Sequence, residues 1–169
     1  MSSTLSPATT PHPRPVTTTD AWKLAALTFV LIDHYGLFFD PEDVWWRLFG
    51  RIAAPVFFFL IGFARSRNVP WTWLAFGIVL TAVDYWTTPG RTSVTLNILL
   101  NFALLRLVLS FVETQVMPRP VPLAGLVLVS AALIAVLDPV LEYGGEGWLW
   151  ALFGLGHRLY LDQPDRNAL

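Results

Sequence analysis

The sequence predicts an all-α polytopic integral membrane protein, a helix bundle with about five or six transmembrane helices and almost no water-soluble domain. Two observations carry that prediction. Of 169 residues, 54% are hydrophobic and 14% charged, which is too little charge for the surface of a soluble domain. The apolar residues also fall in runs long enough to cross a hydrocarbon core, separated by turns too short to fold alone. A net charge of −1 with eleven scattered basic residues gives no electrostatic footprint for nucleic acid. The chain has no cysteine, so disulfides, thiolate nucleophiles and zinc–thiolate sites are excluded.

Residues 1–19 are rich in Pro, Ser and Thr and lack an apolar run, so they are expected to form a disordered cytoplasmic tail rather than a signal peptide. His12 sits there between two prolines with no ligand partner nearby, and no metal site is expected. The transmembrane domain is expected over 20–160, followed by a short cytoplasmic tail at 161–169. Its first helix covers 21–39, with Asp20 capping the exposed N–H groups. After the acidic DPED loop at 40–43 comes a second helix over 44–64, with Trp45 and Trp46 suited to the interface and Arg65 and Arg67 closing the segment. A third helix is expected over 69–86, then a TTPGR turn at 87–91, then a fourth over 94–112. Three prolines in the MPRPVP break at 117–122 precede a fifth helix over 123–143. The stretch 147–160 is apolar but short, and it reads as a sixth span in preference to a helix lying in the interface.

If the helices alternate, Arg14, Lys23, Arg65, Arg67, Arg119 and Arg158 share one side of the membrane. The other side carries Asp40, Glu42, Asp43, Glu142 and Glu146, with Arg47 and Arg91 as its basic members. Basic residues favour the cytoplasmic face, so the N-terminus is expected to be cytoplasmic.

Ionisable residues at membrane depth are costly and usually face a bundle interior or a polar cavity, which singles out Asp33, His34, Arg51 and Arg106. Asp33 and His34 are adjacent and diverge by about 100° around the helix, so they are not expected to point at one spot. One is expected to reach a substrate while the other orients a neighbour. Lys23 lies close to three turns before His34 on the same face, with His34 roughly 16 Å deeper. That spacing reads as an access path, against a plainer reading in which Lys23 snorkels to anionic headgroups. His34 can bridge two helices or perform general acid–base work. Pro55 removes the N–H that would bond the Arg51 carbonyl, so a polar kink is expected beside Arg51, whose plainer role is to pair with Asp33 or Asp84. Asn97 and Asn101 share a face at i, i+4 and are expected chiefly to join helices. His157 and Arg158 read as interfacial anchors. The common nucleotide, hydrolase and zinc-protease motifs are absent from the sequence.

The stretch DAWKLAALTFVLIDHYGLFF, with Lys23, Asp33 and His34, and the stretch FGRIAAPVFFFLIGFARSRN, with Arg51, Pro55 and Arg65, resemble the TraX family. Asn97 in LNILLN adds to the resemblance, which covers roughly residues 20–107. Founding members of that family acetylate the N-terminus of conjugative pilin. The resemblance implies a membrane acetyltransferase of the bacterial inner (cytoplasmic) membrane, with acetyl-CoA as donor substrate arriving from the cytoplasm. Lys23, Arg65 and Arg67 would hold its phosphates, His34 would act as base with Asp33 beside it, and Arg51 would stabilise the oxyanion. Asn97 and Asn101 would be substrate-binding or structural polar groups. The implied acceptor is a pilin-like protein or a glycan. The alternative is a non-catalytic membrane subunit or assembly factor of the same family, and a chain this short also admits a homo-oligomer that completes the site between protomers. A transporter is disfavoured because the second half does not repeat the first in inverted fashion.

Overall fold

The computed structural model describes residues 15–88, 94–116, 123–132 and 134–162. The expectations for the first fourteen residues and His12, for the end of the 87–91 turn, for the 117–122 proline break and for 163–169 lie outside the described residues.

Thr17 opens the first helix, α1 (Thr18–Phe39). The sequence places this start at 21 with Asp20 as the cap. In the structure Thr17 Oγ1 accepts from the Asp20 amide (3.3 Å) and the Asp20 carboxylate accepts from the Thr17 amide (3.1 Å). This is a reciprocal capping box, in which Asp20 is the third helical residue and not the cap. Asp43 then caps α2 (Val44–Gly50) through the Trp45 amide at 2.9 Å. A kink at Arg51 and Ile52 leads into α3 (Ala53–Phe63). Here the Ile52 and Ala54 amides donate to the carbonyls three residues back, Phe49 and Arg51. Pro55 explains the kink: it has no N–H to offer the Arg51 carbonyl, so Ala54 takes that acceptor one residue early.

Beyond Pro70, α4 (Trp71–Thr87) packs on α5 (Ile98–Phe111), which runs on into a π-helical turn at Val112–Val116. The fourth helix starts at 98 rather than 94 because Leu96 is engaged elsewhere. Its amide donates to the Val140 carbonyl (2.8 Å) and its carbonyl accepts from the Glu142 amide (2.9 Å), a short parallel bridge. The fifth helical stretch comprises α6 (Leu123–Ala132) and α7 (Ile134–Leu137), and it stops well before 143. Pro139 disfavours helical geometry at Asp138, and residues 138–143 turn instead. The last helix, α8 (Gly144–Leu161), starts earlier than 147 and has 18 residues.

Among the described residues, three segments are long and apolar enough to cross a membrane: Thr18–Phe39, Val44–Phe63 through the kink, and Ile98–Gln115. That is fewer than the five or six expected. The α4 helix has 17 residues, α6 and α7 cover ten and four, and α8 is diluted by glycines, Glu146, His157 and Arg158. The apolar exterior is nevertheless extensive. Trp22, Leu24, Leu31 and Phe38 on α1 and Trp71, Phe76, Ile78 and Val83 on α4 are all exposed. Water-soluble monomers rarely carry such a belt, and a bilayer covers it.

The most extensive contact is between α3 and α8. The core beside it, which α5 completes, centres on Phe58 of α3, Leu105 and Leu109 of α5, and Ala151 and Leu155 of α8, all essentially inaccessible. Small residues let the two backbones approach: Gly62 abuts the Ala151 backbone, Gly154 abuts the backbone between Phe59 and Phe63, and Gly147 lies against the Phe58 ring.

One end of the bundle is fastened by charge. The Glu113 carboxylate accepts from Arg67 Nε at 3.1 Å and also from Arg158. Arg67 further donates to the Ile61 and Gly62 carbonyls, so ends of α3, α5 and α8 meet there. Arg158 is 5% exposed, a buried fastening rather than the interfacial anchor that its place near the chain end predicts. Arg106 donates to the Asn68 carbonyl and stacks over Trp73 at 4.5 Å. Replacing Glu113 by Ala leaves two guanidinium groups without their shared counter-charge. Because Glu113 is partly exposed, the expected loss is about 3 kcal/mol, at the low end for a broken buried pair. Denaturant unfolding in detergent checks this, with Glu113→Gln expected to lose less because it keeps an acceptor.

Candidate functional site

Polar side chains gather at the opposite end, between the kinked α2–α3 segment, α1 and the 138–143 turn, where they line two adjoining cavities. The inner one, of about 240 Å³, is lined by Asp33 and His34 of α1, Arg47 and Gly50 of α2, Ala53 and Phe57 of α3, and Glu142 and Tyr143 of the turn. The outer one, of about 410 Å³, is lined by Arg47, Arg51, Asp138, Glu142, Tyr143 and Glu146. Arg47, Glu142 and Tyr143 belong to both walls.

His34 is oriented by its own helix. Its Nδ1 lies 2.8 Å from the Val30 carbonyl. A carbonyl can only accept, so Nδ1 carries the proton and Nε2 holds the lone pair in the neutral ring. Asp33 lines the same cavity, although the two side chains leave α1 about 100° apart. Asp33 Oδ2 lies 3.5 Å from Arg47 Nη1, and Asp33 Oδ1 is buried without a hydrogen-bond partner. Thus Arg47, one turn before Arg51, is the cation paired with Asp33. Gly50 causes this register. Its Cα packs so closely on the Asp33 backbone that an added Cβ would lie 2.6 Å from the Asp33 nitrogen, which brings the Arg47 face of α2 against α1. Arg51 faces the outer cavity.

Two asparagines fix the neighbourhood of the turn that closes the site, Asn101 by bonding the turn itself and Asn97 by tying the start of α5 to α4. Asn97 is the cap of α5 and not a residue within it: its Oδ1 accepts from the Leu99 and Leu100 amides, and its Nδ2 donates to the Gly77 carbonyl of α4 at 2.8 Å. Asn101 is fully buried. It donates to the Glu142 carbonyl (2.7 Å) and accepts from Trp148 Nε1 (3.0 Å), joining α5 to the turn and to α8. The Glu142 carboxylate accepts from the Ile98 amide at 2.8 Å, a second cap on α5. Tyr143 follows with φ 64° and ψ 13°, and Gly144 with φ 34°. A side chain at Gly144 would strike the Asp138 carboxylate.

Of the other sequence candidates, Lys23, Arg65 and Arg67 lie at the far end. Lys23 pairs with Asp20 (3.1 Å) and Arg65 with Asp162 (2.6 Å), both at exposed positions, while Arg67 is committed to Glu113. Lys23 does not line the His34 cavity. From that end an apolar groove of about 680 Å³ runs between α1, α3 and α8, from Thr18, Trp22 and His157 to Pro55 and Ile52. His157 lies in it beside Phe59 and Phe63 at ring distances of 6.0 and 5.9 Å. Among the described residues no three metal-ligating side chains converge. Arg47 and Tyr143 were not legible as site residues. The i, i+4 spacing of Arg47 and Arg51, and the Tyr-Gly-Gly sequence at a turn, are the signals that point to them.

A family model described as TraX protein matches residues 18–166. An uncharacterized protein of Rickettsia prowazekii (strain Madrid E) is 34% identical over 85 residues, covering 50% of this chain and 34% of that protein. The chain therefore spans about a third of the length of that relative. No solved structure matches.

Proposed function

The chain belongs to the TraX family, and from that premise we propose that it is an integral membrane acetyltransferase, moving the acetyl group of cytoplasmic acetyl-CoA to the N-terminus of a pilin-like protein or to a glycan. The observation that carries this reading is His34, whose Nδ1–H is fixed by the Val30 carbonyl so that Nε2 is the available base, in a cavity shared with Asp33 and Arg47. In the proposed step Nε2 removes the proton from the acceptor amine or hydroxyl, and the acceptor atom bonds the thioester carbonyl carbon. Arg47 and Arg51 supply positive charge for the oxyanion. The carbon–sulfur bond then breaks, and the leaving thiolate takes the proton back from the imidazolium.

The donor's phosphates are assigned to Lys23, Arg65 and Arg67. The carboxylate partners of Lys23 and Arg65 are exposed, and exposed pairs of this kind are weak enough for an incoming phosphate to displace. Arg67 is the least available of the three. The apolar groove suits the donor's thioester arm: along α3 it extends from Ile52 to Phe63, roughly 16 Å. Ile52 at its inner end is next in sequence to Ala53 in the His34 cavity wall. In this reading the Lys23 end faces the cytoplasm and the membrane is the bacterial inner one. A non-catalytic assembly subunit is the second reading, favoured by Asn97, Asn101 and Arg67, all of which are engaged in joining helices.

Calorimetric titration of acetyl-CoA into detergent-purified protein separates the two. The transferase reading expects saturable binding that Lys23→Ala weakens and His34→Ala leaves largely intact, since His34 acts on the acceptor's proton. No binding at millimolar donor would favour the assembly subunit.

A further inference from the structure

Tyr143 is, among the described residues, the one non-glycine residue with a positive φ. The left-handed region crowds a Cβ against the backbone and is routinely visited by glycine or asparagine. Two glycines follow immediately, so a shift of one residue in the turn would relieve the strain. Persistent strain of this sort marks positions where the surrounding structure demands a particular side chain. The demand is visible in the cavities. Of the three side chains in both walls, Arg47 is turned to Asp33 and Glu142 to the Ile98 amide. The Tyr143 ring meets Phe58 edge-on at 6.3 Å, and its hydroxyl makes no hydrogen bond among the described residues. Burial, followed by the charges of Glu142 and Asp33, pushes the phenol above its ordinary value, so it is a donor at neutral pH.

We propose that Tyr143 is the gate between the two cavities: its ring separates the outer chamber from His34, and its hydroxyl donates a hydrogen bond to the group bound beside His34. The strained backbone is what holds the ring across the opening. The role of the hydroxyl rests on the acyl-transfer reading, whereas the position of the ring does not.

The test uses the full chain in liposomes, with Tyr143→Phe, Tyr143→Ala and Tyr143→Gly beside the wild type. Carbethoxylation by diethyl pyrocarbonate, mapped by peptide mass, reads the access of water-borne reagent to His34, with His157 at the other end as internal reference. His34 should react several-fold faster in the Ala and Gly variants and at the wild-type rate in the Phe variant. The Gly variant should melt above the Ala variant, reversing their usual order, because glycine alone escapes the left-handed strain. Transfer by Tyr143→Phe should fall about 10²-fold, the usual effect of losing one oxyanion donor. Equal His34 reactivity in all four proteins overturns the gate, and an Ala variant that melts at or above the Gly variant overturns the strain argument. Full transfer by Tyr143→Phe overturns the role of the hydroxyl. If the wild type transfers nothing while His34 reactivity still responds, the acyl-transfer reading fails and the gate stands.

Discussion

Replacement of His34 by glutamine is expected to lower acetyl transfer by about 10²–10⁴-fold, the range for loss of a positioned general base. Glutamine keeps a polar side chain of similar reach and can still donate to the Val30 carbonyl, but it offers no basic nitrogen. His34 borders the cavity on one side and the bilayer-covered exterior of α1 on the other, and it packs against Phe38 at a ring distance of 6.2 Å without entering the core, so the fold should survive. The measurement is a single-turnover transfer assay, with size-exclusion profile and thermal midpoint as controls. Wild-type transfer by His34→Gln would remove the base from the mechanism. Loss of folded protein would instead mean that His34 joins helices.

An equally large effect, on the fold itself, is expected of Gly62→Val. A Cβ at position 62 would strike the Ala151 carbonyl and lie 2.7 Å from its carbon and 2.9 Å from its Cα. These are backbone atoms at the midpoint of α8, so no rotamer change relieves the contact and the helices must separate. Overpacking of flexible cores typically costs about 1–3 kcal/mol. A rigid backbone clash at the principal helix contact should exceed that and approach the whole stability of a domain, about 5–15 kcal/mol. The expected result is aggregation on extraction, read by size-exclusion chromatography. A monodisperse Gly62→Val protein with an unchanged melting curve would show that the α3–α8 contact is not what holds the bundle.

Much of this architecture was legible in the apolar runs. The kink at Arg51 follows from Pro55, since a missing N–H has a fixed partner in sequence. Other features depend on packing between distant segments and leave little local trace. Asn97 and Asn101 read as neighbours on one helix face, yet the bridge between Leu96 and the 138–143 turn delays the helix start and makes Asn97 a cap. Arg158 looks like an anchor until Glu113, 45 positions away, is brought to it. The Asp33 partner could not be chosen between Arg47 and Arg51 without the close approach at Gly50. His34 and Asp33 were found because charge at membrane depth is costly wherever it occurs. Tyr143 was missed because its distinction is a backbone angle.

The glycine seam between α3 and α8 has a consequence for the order in which the molecule comes into being. The α1 helix and the α2–α3 segment are translated first, and both are apolar enough to enter a bilayer unaided. The α8 helix is translated last of the described elements, and its composition does not qualify it to cross alone. It packs against α3, α6 and α7, all of which precede it in the chain. Because Tyr143 immediately precedes α8 and is aligned by it, the cavity around His34 takes its final shape only when this late helix docks. A ribosome paused before residue 144 would therefore leave an inserted but unfinished protein, with the His34 cavity still open on the side that α8 and its preceding turn close.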